Sequence, residues 1–202
     1  MRTDVETLLT PPTPVAARAL DVVRGWATPA LANHSRRSAA WATLIADASG
    51  IDHDPELLFV AAMLHDLGMS APFDAHAVPF EDAGGAVASV FAIGAGWDAV
   101  RARRVGEVIE RHMWLSVDPA EDPEGHLLEV ATSLDVSGVG FELVPDDSLR
   151  AVSAVLPRLD FSAAFAASIH DQAGRKPTSA AARLDRSGNV VAGSARWDAF
   201  LA

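Results

Sequence analysis

The chain has 202 residues, of which 50% are hydrophobic and 21% charged, the balance of one globular domain with a substantial core. Its formal net charge of -11 argues against a nucleic-acid groove, because phosphates are bound by clustered Lys and Arg. Cysteine is absent, which excludes disulfides, thiolate nucleophiles and Cys-ligated metals.

The N-terminal segment ends in the proline-rich run TPPTP at residues 10–14, and we expect residues 1–13 to form a flexible arm. This segment lacks the basic start and apolar block of a secretory signal. The longest uncharged stretch, residues 83–97, is interrupted by glycines and is shorter than the roughly 20 apolar residues that span a bilayer. The sequence therefore predicts a cytoplasmic protein without a membrane helix.

Apolar residues at helical spacing, bounded by capping and breaking residues, predict an all-α fold of about six to eight helices. Thr28 and Pro29 suit the start of one helix, and Gly50 suits its end. The other helices are predicted over residues 15–26, 57–67, 79–93, 98–115, 125–138 and 148–169, the last of them interrupted at Pro157. Gly, Arg, Ser, Thr and Asn are frequent after residue 172, which predicts that residues 173–202 form an irregular tail packed on the domain.

Three segments place His or Asp among apolar residues of a predicted helix. His65 and Asp66 follow a run of eight apolar residues, His34 lies on a core-facing stripe, and Asp135 is surrounded by apolar neighbours. Each residue alone fits a helix cap or a hydrogen-bonded core position. Together they favour one shared cation, since a buried carboxylate without a partner is costly. Two imidazoles and two carboxylates suit zinc, iron or manganese.

The order His34, then His65-Asp66, then Asp135 resembles the split H…HD…D motif of the HD-domain superfamily of metal-dependent hydrolases. HD proteins are helical bundles that bind one or two divalent metals. The resemblance implies a compact, single-domain bundle of this type over residues 14–172. It also implies one divalent ion, zinc with iron or manganese as alternatives, held by these four residues.

Residues 30–180 also resemble the cyanamide hydratase-like branch of that superfamily. The matching elements are H-S-x-R at 34–37, F-E-x-x-G at 80–84, a helix ending in His112, T-S-L-D-V-S-G at 132–138 and K-P at 176–177. Members of the branch are metalloenzymes that add water to a nitrile-like group. The resemblance implies a hydrolase or hydratase that uses a metal-activated water on a small polar substrate similar to a nitrile or cyanamide.

Three further residues are candidates for catalysis. His112 lies on an inward-facing helical stripe, Arg37 follows His34 by three residues, and Glu81 begins a predicted helix. The structural alternatives are a core histidine, a surface ion pair and a charge that favours a helix N-terminus. We expect these groups to orient the substrate and transfer protons, with His112 beside the metal and not among its ligands.

Two other functions stay open on the sequence. A nucleotide or phosphoester phosphohydrolase agrees with the superfamily at large and would draw its phosphate contacts from arginines 37, 103, 104 and 111. A non-catalytic, metal-stabilised ligand-binding module is the second. In each case we expect a small-molecule partner, with neither nucleic acid nor membrane, and the sequence is compatible with a homo-oligomer.

Overall fold

The computed structural model describes residues 4–202, and all regular secondary structure in that part of the chain is helical. The α-helices are α1 (Val5–Leu9), α2 (Pro14–Trp26), α3 (Pro29–Ser49), α4 (Pro55–Leu64), α5 (Phe80–Gly94), α6 (Ala99–Arg111), α7 (Pro123–Ser137), α8 (Asp146–Val155), α9 (Phe161–Arg175), α10 (Ala180–Ser187) and α11 (Asn189–Leu201). Short 3-10 turns span Leu67–Met69 and Phe141–Leu143. The predicted all-α class is confirmed. None of the helices in residues 4–202 has both the length and the hydropathy needed to cross a membrane.

Capping residues set the helix boundaries that the sequence predicts best. The Thr28 side chain accepts a hydrogen bond from the Leu31 backbone N–H at 3.2 Å, and a proline follows Thr28 in the first turn of α3. The same helix ends at Gly50, whose φ of 67° is left-handed and suits glycine. The predicted bounds of α3 are therefore confirmed at both ends.

Helix α4 forms the centre of the core. Every residue from Leu57 to Leu64 is buried, so the helix is apolar on all of its faces. Helices α2, α3, α5, α6 and α7 pack around it. Because α4 ends directly before His65 and Asp66, these two polar residues emerge in the interior of the bundle.

Glycines bring α5 against the backbone that carries His65 and Asp66. A Cβ on Gly84 would lie 2.8 Å from the carbonyl oxygen of His65, and one on Gly68 would overlap the carbonyl of Phe80. Real Cβ atoms do not approach backbone this closely, so a side chain at either position would push the two segments apart. These glycines thereby fix the path of the chain through the candidate metal centre.

The C-terminal segment, residues 173–202, contains helices α10 and α11, so the prediction of an irregular tail is wrong. Two of its glycines have defined positions in these helices. Gly188 caps the C-terminus of α10 with a φ of 69°, and Gly193 lies inside α11. A Cβ at Gly193 would collide with the backbone at Ser137 in α7. Trp197 of α11 is fully buried, which anchors the segment on the domain.

The prediction of a flexible N-terminal arm is wrong for α1. Leu8 of this helix is 6% exposed and packs into the main core, and α1 contacts α3 and α8. A five-residue helix is too short to be stable alone, so its burial supplies the stability. Residues 1–3 of the predicted arm lie outside the described residues.

Candidate metal centre

Three potential metal-binding atoms converge in the interior of the bundle. His34 comes from the second turn of α3, while His65 and Asp66 follow the end of α4, and all three are at most 2% exposed. Nε2 of His34 lies 3.1 Å from Nε2 of His65. These two nitrogens are 3.4 Å and 3.2 Å from Oδ2 of Asp66. One atom from each residue therefore faces the same small space.

In each of the two histidines, the hydrogen bond made by Nδ1 determines whether Nε2 can face that space as an acceptor. Nδ1 of His34 lies 2.7 Å from a carboxylate oxygen of Asp135, and Nδ1 of His65 lies 2.8 Å from the carbonyl oxygen of Ala62. Both partners can only accept, so each Nδ1 carries a proton, and in its neutral form each ring presents a lone pair at Nε2. Three acceptors thus meet without a donor between them.

A positive charge placed among these three acceptors would stabilise them. Oδ2 of Asp66 is buried and accepts no hydrogen bond within residues 4–202. Burial lowers the pKa of His34, but the hydrogen bonds and charges of Asp135 and Asp66 together raise it more, and the net pKa lies above the ordinary value. Burial raises the pKa of Asp66, but His65 and His34 together lower it more, and the net pKa is below its ordinary value. The cluster favours one positive charge, and its nitrogen and oxygen donors fit a divalent metal ion.

His112, at the end of α6, presents a third imidazole to the same space. Its Nδ1 donates to the carbonyl oxygen of Ile109, and its Nε2 lies 3.8 Å from Oδ1 of Asp66. The ring meets that of His65 edge to face, with centroids 4.9 Å apart. Burial and the adjacent His65 lower the pKa of His112 to about 3, which keeps the ring neutral. The structure therefore brings His112 next to His65 and Asp66, and its role there stays a prediction.

Asp135 lies behind His34, on the Nδ1 side of its ring. Its two carboxylate oxygens accept from Nε and Nη2 of Arg37, both at 2.8 Å, and from Nε1 of Trp41 at 2.9 Å. Burial raises the pKa of Asp135, but Arg37, Arg158 and His34 together lower it more, so the net pKa lies well below the ordinary value. Both oxygens are occupied by these donors and His34. This placement suits a residue that orients His34; direct coordination by Asp135 stays a prediction.

Arg37 and Glu81, the other two candidates for catalysis, lie away from the open part of the site. Arg37 is fully buried and also donates to the carbonyl oxygens of Leu156 and Pro157. Glu81 is 6% exposed, and burial raises its pKa. Neither side chain lines the cavity next to the metal centre. Their proposed contact with a substrate is therefore not supported by their positions, and Arg37 acts on the site through Asp135.

A cavity of about 310 Å³ opens from the metal centre. Helix α7 lines one side of it with one face, which carries Glu129, Thr132, Ser133, Val136 and Ser137. Helix α10 and the residues after it line another side, which includes Arg183, Leu184, Ser187 and Asn189. The cavity gives a small molecule access to the converging ligand atoms. Its second wall comes from the segment that the sequence predicted to be irregular.

Sequence reasoning missed two residues that support the site. Arg158 donates to the backbone oxygen of Asp135 at 2.8 Å, and its guanidinium lies 3.6 Å from the carboxylate. Trp41, interpreted as a core residue, donates to the same carboxylate. The position of Trp41 seven residues after His34 puts both on one helical face, which is the signal that could have linked them. Nothing local to Arg158 indicates its partner.

Comparison with known proteins identifies the family. The family model described as HD domain matches residues 31–136, which include all four predicted ligands and His112. Two proteins of Saccharomyces cerevisiae, cyanamide hydratase DDI2 and cyanamide hydratase DDI3, are each 31% identical to this chain over 128 residues. The match covers 62% of this chain but only 57% of each yeast protein. This chain belongs to the HD domain family.

Proposed function

We propose that this protein is a metal-dependent hydratase or hydrolase that adds water to a small polar substrate with a nitrile- or cyanamide-like group. The convergence of His34, His65 and Asp66 carries this proposal, because the fixed Nδ1 protons leave three acceptors that need a cation. The similarity to the two yeast cyanamide hydratases supports the choice of substrate. Zinc is the first choice of metal for such donors, with iron or manganese as alternatives.

We propose four protein groups for the metal: His34, His65, Asp66 and His112. His112 replaces Asp135 in this set because its Nε2 faces Asp66, whereas the carboxylate of Asp135 faces Nδ1 of His34. Asp135 then holds the His34 ring in place, as carboxylates commonly do for metal-binding histidines. When bound, a divalent ion would supply Lewis acidity, which lowers the pKa of water and polarises a carbon–nitrogen multiple bond.

Residues around the metal centre position the substrate and keep the rings rigid. Phe161 stacks on the ring of His34, with centroids 4.4 Å apart. Thr132 lines the cavity, and its hydroxyl donates its proton to the carbonyl oxygen of Leu128 at 2.9 Å. Its oxygen is therefore available only as an acceptor, which suits the N–H of an amide or urea product. Phe165 and Val136 complete an apolar wall beside these groups.

Phosphoester hydrolysis, the first alternative, finds no support in the arginines that the sequence suggested for it. Arg37 binds Asp135, while Arg104 and Arg111 both bind Asp122 and Arg103 lies 3.8 Å from Glu107. None of the four lines the cavity. The exposed residue Arg183 does line the cavity. A single positive charge is too little to bind the several negative charges of a nucleotide.

A substrate screen on metal-analysed protein tests the proposal. The purified protein is assayed for metals and then incubated with cyanamide, nitriles, isocyanides and nucleoside phosphates. We expect about one divalent ion per chain, and formation of amide or urea that chelation abolishes and the same metal restores. Release of phosphate instead would favour the phosphohydrolase. Bound metal without turnover of any of these compounds would favour the non-catalytic module.

A further inference from the structure

The cavity is larger than the smallest substrate of the proposed reaction needs. Its 310 Å³ falls within the range of about 300–1,000 Å³ that is common for pockets that bind small molecules. Cyanamide has three heavy atoms and would fill a small part of that space. Cavities of this size usually accommodate larger ligands, and their few polar groups decide which ones. The polar groups away from the metal centre therefore bear on the identity of the substrate.

Glu129 is an acidic residue that lines the same cavity and is not among the residues whose ligand atoms cluster at the metal centre. It lies on α7, one turn before Thr132 and Ser133, and is half-buried. Its carboxylate forms no ion pair within residues 4–202, unlike the buried carboxylates of Asp122 and Asp135. Burial raises the pKa of Glu129 to about 7, because a partly desolvated carboxylate lacks a compensating charge. A ligand cation would provide that charge.

The other charged group of the cavity outside the metal centre is at its rim. Arg183 is exposed and donates through Nη2 to the backbone oxygen of Met113. The whole chain carries a formal charge of -11, so its long-range field attracts cations and repels anions. Apolar side chains that include Val139 and Leu184 also line the cavity and suit a short hydrocarbon linker.

We infer that the substrate carries a positively charged amine at the end remote from its reactive group, and that Glu129 selects this amine. The inference rests on the proposed function for the reactive end. It names the substrate class as amino-nitriles or amino-cyanamides with a short aliphatic linker. Glu129 is a specificity residue in this proposal and takes no part in the chemistry at the metal centre.

Three nitriles that differ only at the remote end test the inference. They are aminopentanenitrile with a terminal amine, hexanenitrile with a methyl in its place, and cyanopentanoate with a carboxylate. We expect kcat/KM for the amine to exceed that for the methyl compound by about tenfold or more, the scale of one charge-assisted hydrogen bond. In Glu129→Gln this ratio should fall to about one. The ratio cancels any loss of folding or metal in the variant.

Glu142→Gln is the matched control, since it removes the same charge from an exposed side chain outside the cavity. It should keep the wild-type ratio. A wild-type ratio near one, an unchanged ratio in Glu129→Gln, or a preference for the carboxylate would overturn the inference.

Calorimetric binding of pentylammonium separates this inference from the proposed function. We expect wild type to bind it at least about tenfold more tightly than Glu129→Gln does. If that difference is found although no nitrile is hydrated, the proposed function fails and the amine site stands. If nitriles are hydrated but the two proteins bind pentylammonium equally, the amine site fails and the proposed function stands.

Discussion

Replacing Asp135 by asparagine separates an orienting residue from a metal ligand. The side chain keeps its size but loses the charge that accepts four hydrogen bonds, from His34, Trp41 and twice from Arg37. Arg37 is fully buried and would lose its counter-charge. Breaking one partner of a buried ion pair costs about 3–5 kcal/mol. We expect the free energy of unfolding of the metal-free protein to fall by that amount.

The same variant should still bind metal. An orienting carboxylate contributes about 10- to 100-fold to metal affinity, so Asp135→Asn should bind more weakly yet reach full stoichiometry at saturating metal. Urea denaturation of chelated protein measures the first effect, and calorimetric titration with zinc measures the second. Keeping the two measurements separate prevents metal loss from appearing as instability.

Asp122→Asn is the matched control for this experiment. Asp122 is another buried aspartate that binds two arginines, Arg104 and Arg111, but it lies outside the metal centre. It should lose stability and keep its metal affinity. If Asp135→Asn cannot be saturated with metal, Asp135 is a direct ligand. If its affinity is unchanged, the orienting role is refuted.

Three other substitutions test separate parts of the structure. His112→Ala should lower metal affinity by more than about 100-fold, beyond the range of a supporting residue. Gly84→Ala should cost about 1–3 kcal/mol of stability, measured by urea denaturation, because its Cβ would lie 2.8 Å from the His65 carbonyl oxygen. Glu129→Gln should alter the pH dependence of unfolding measured between pH 4 and pH 8. Because burial raises the pKa of Glu129 to about 7, wild type should lose stability as pH rises from about 4.5 through 7. The glutamine in the variant cannot ionise, so the variant should lose about 1–2 kcal/mol less over that range, a figure already reduced for the partial exposure of Glu129 to solvent.

Each of these predictions has an outcome that contradicts it. Retained metal with about 10²-fold slower turnover in His112→Ala would assign it to the substrate, as the sequence suggested. Gly94→Ala is the control for Gly84→Ala, since nothing lies within 4 Å of its Cβ, and equal losses in both would disprove the close-approach argument. Parallel pH profiles of wild type and Glu129→Gln would show that the Glu129 carboxyl is not desolvated.

The sequence predicts helices and metal-binding residues where the signal is local. The bounds of α3 follow from Thr28, Pro29 and Gly50, which act within one turn of the helix ends. His65 and Asp66 stand out because an apolar run precedes them. The roles of Asp135 and His112 could not be predicted from a local signal, because they depend on which atom each side chain turns toward its neighbour. Arg158 and Trp41 decide this for Asp135, and no local pattern links them to it.

The C-terminal segment was misinterpreted for a related reason. Glycines at 188 and 193 usually indicate irregular structure, yet one ends α10 and the other permits α11 to pack against the backbone of α7. The need for Gly193 arises only when two helices that are distant in sequence meet. The composition of the segment does not indicate such a contact. In the structure, the full burial of Trp197 shows that α11 packs on the domain.

The position of α10 has a consequence for how this scaffold diversifies. The residues proposed to hold the metal lie between positions 34 and 112, within the part that matches the HD domain model, but α10 contributes a cavity wall from beyond that part. The shape of the cavity thus depends in part on residues outside the stretch that matches the HD domain model. Exchanging residues 173–202 between relatives would change the shape of the cavity while leaving the reactive centre intact. Variation in this terminal segment would act on the shape of the cavity, whereas Glu129 on α7 would act on its charge.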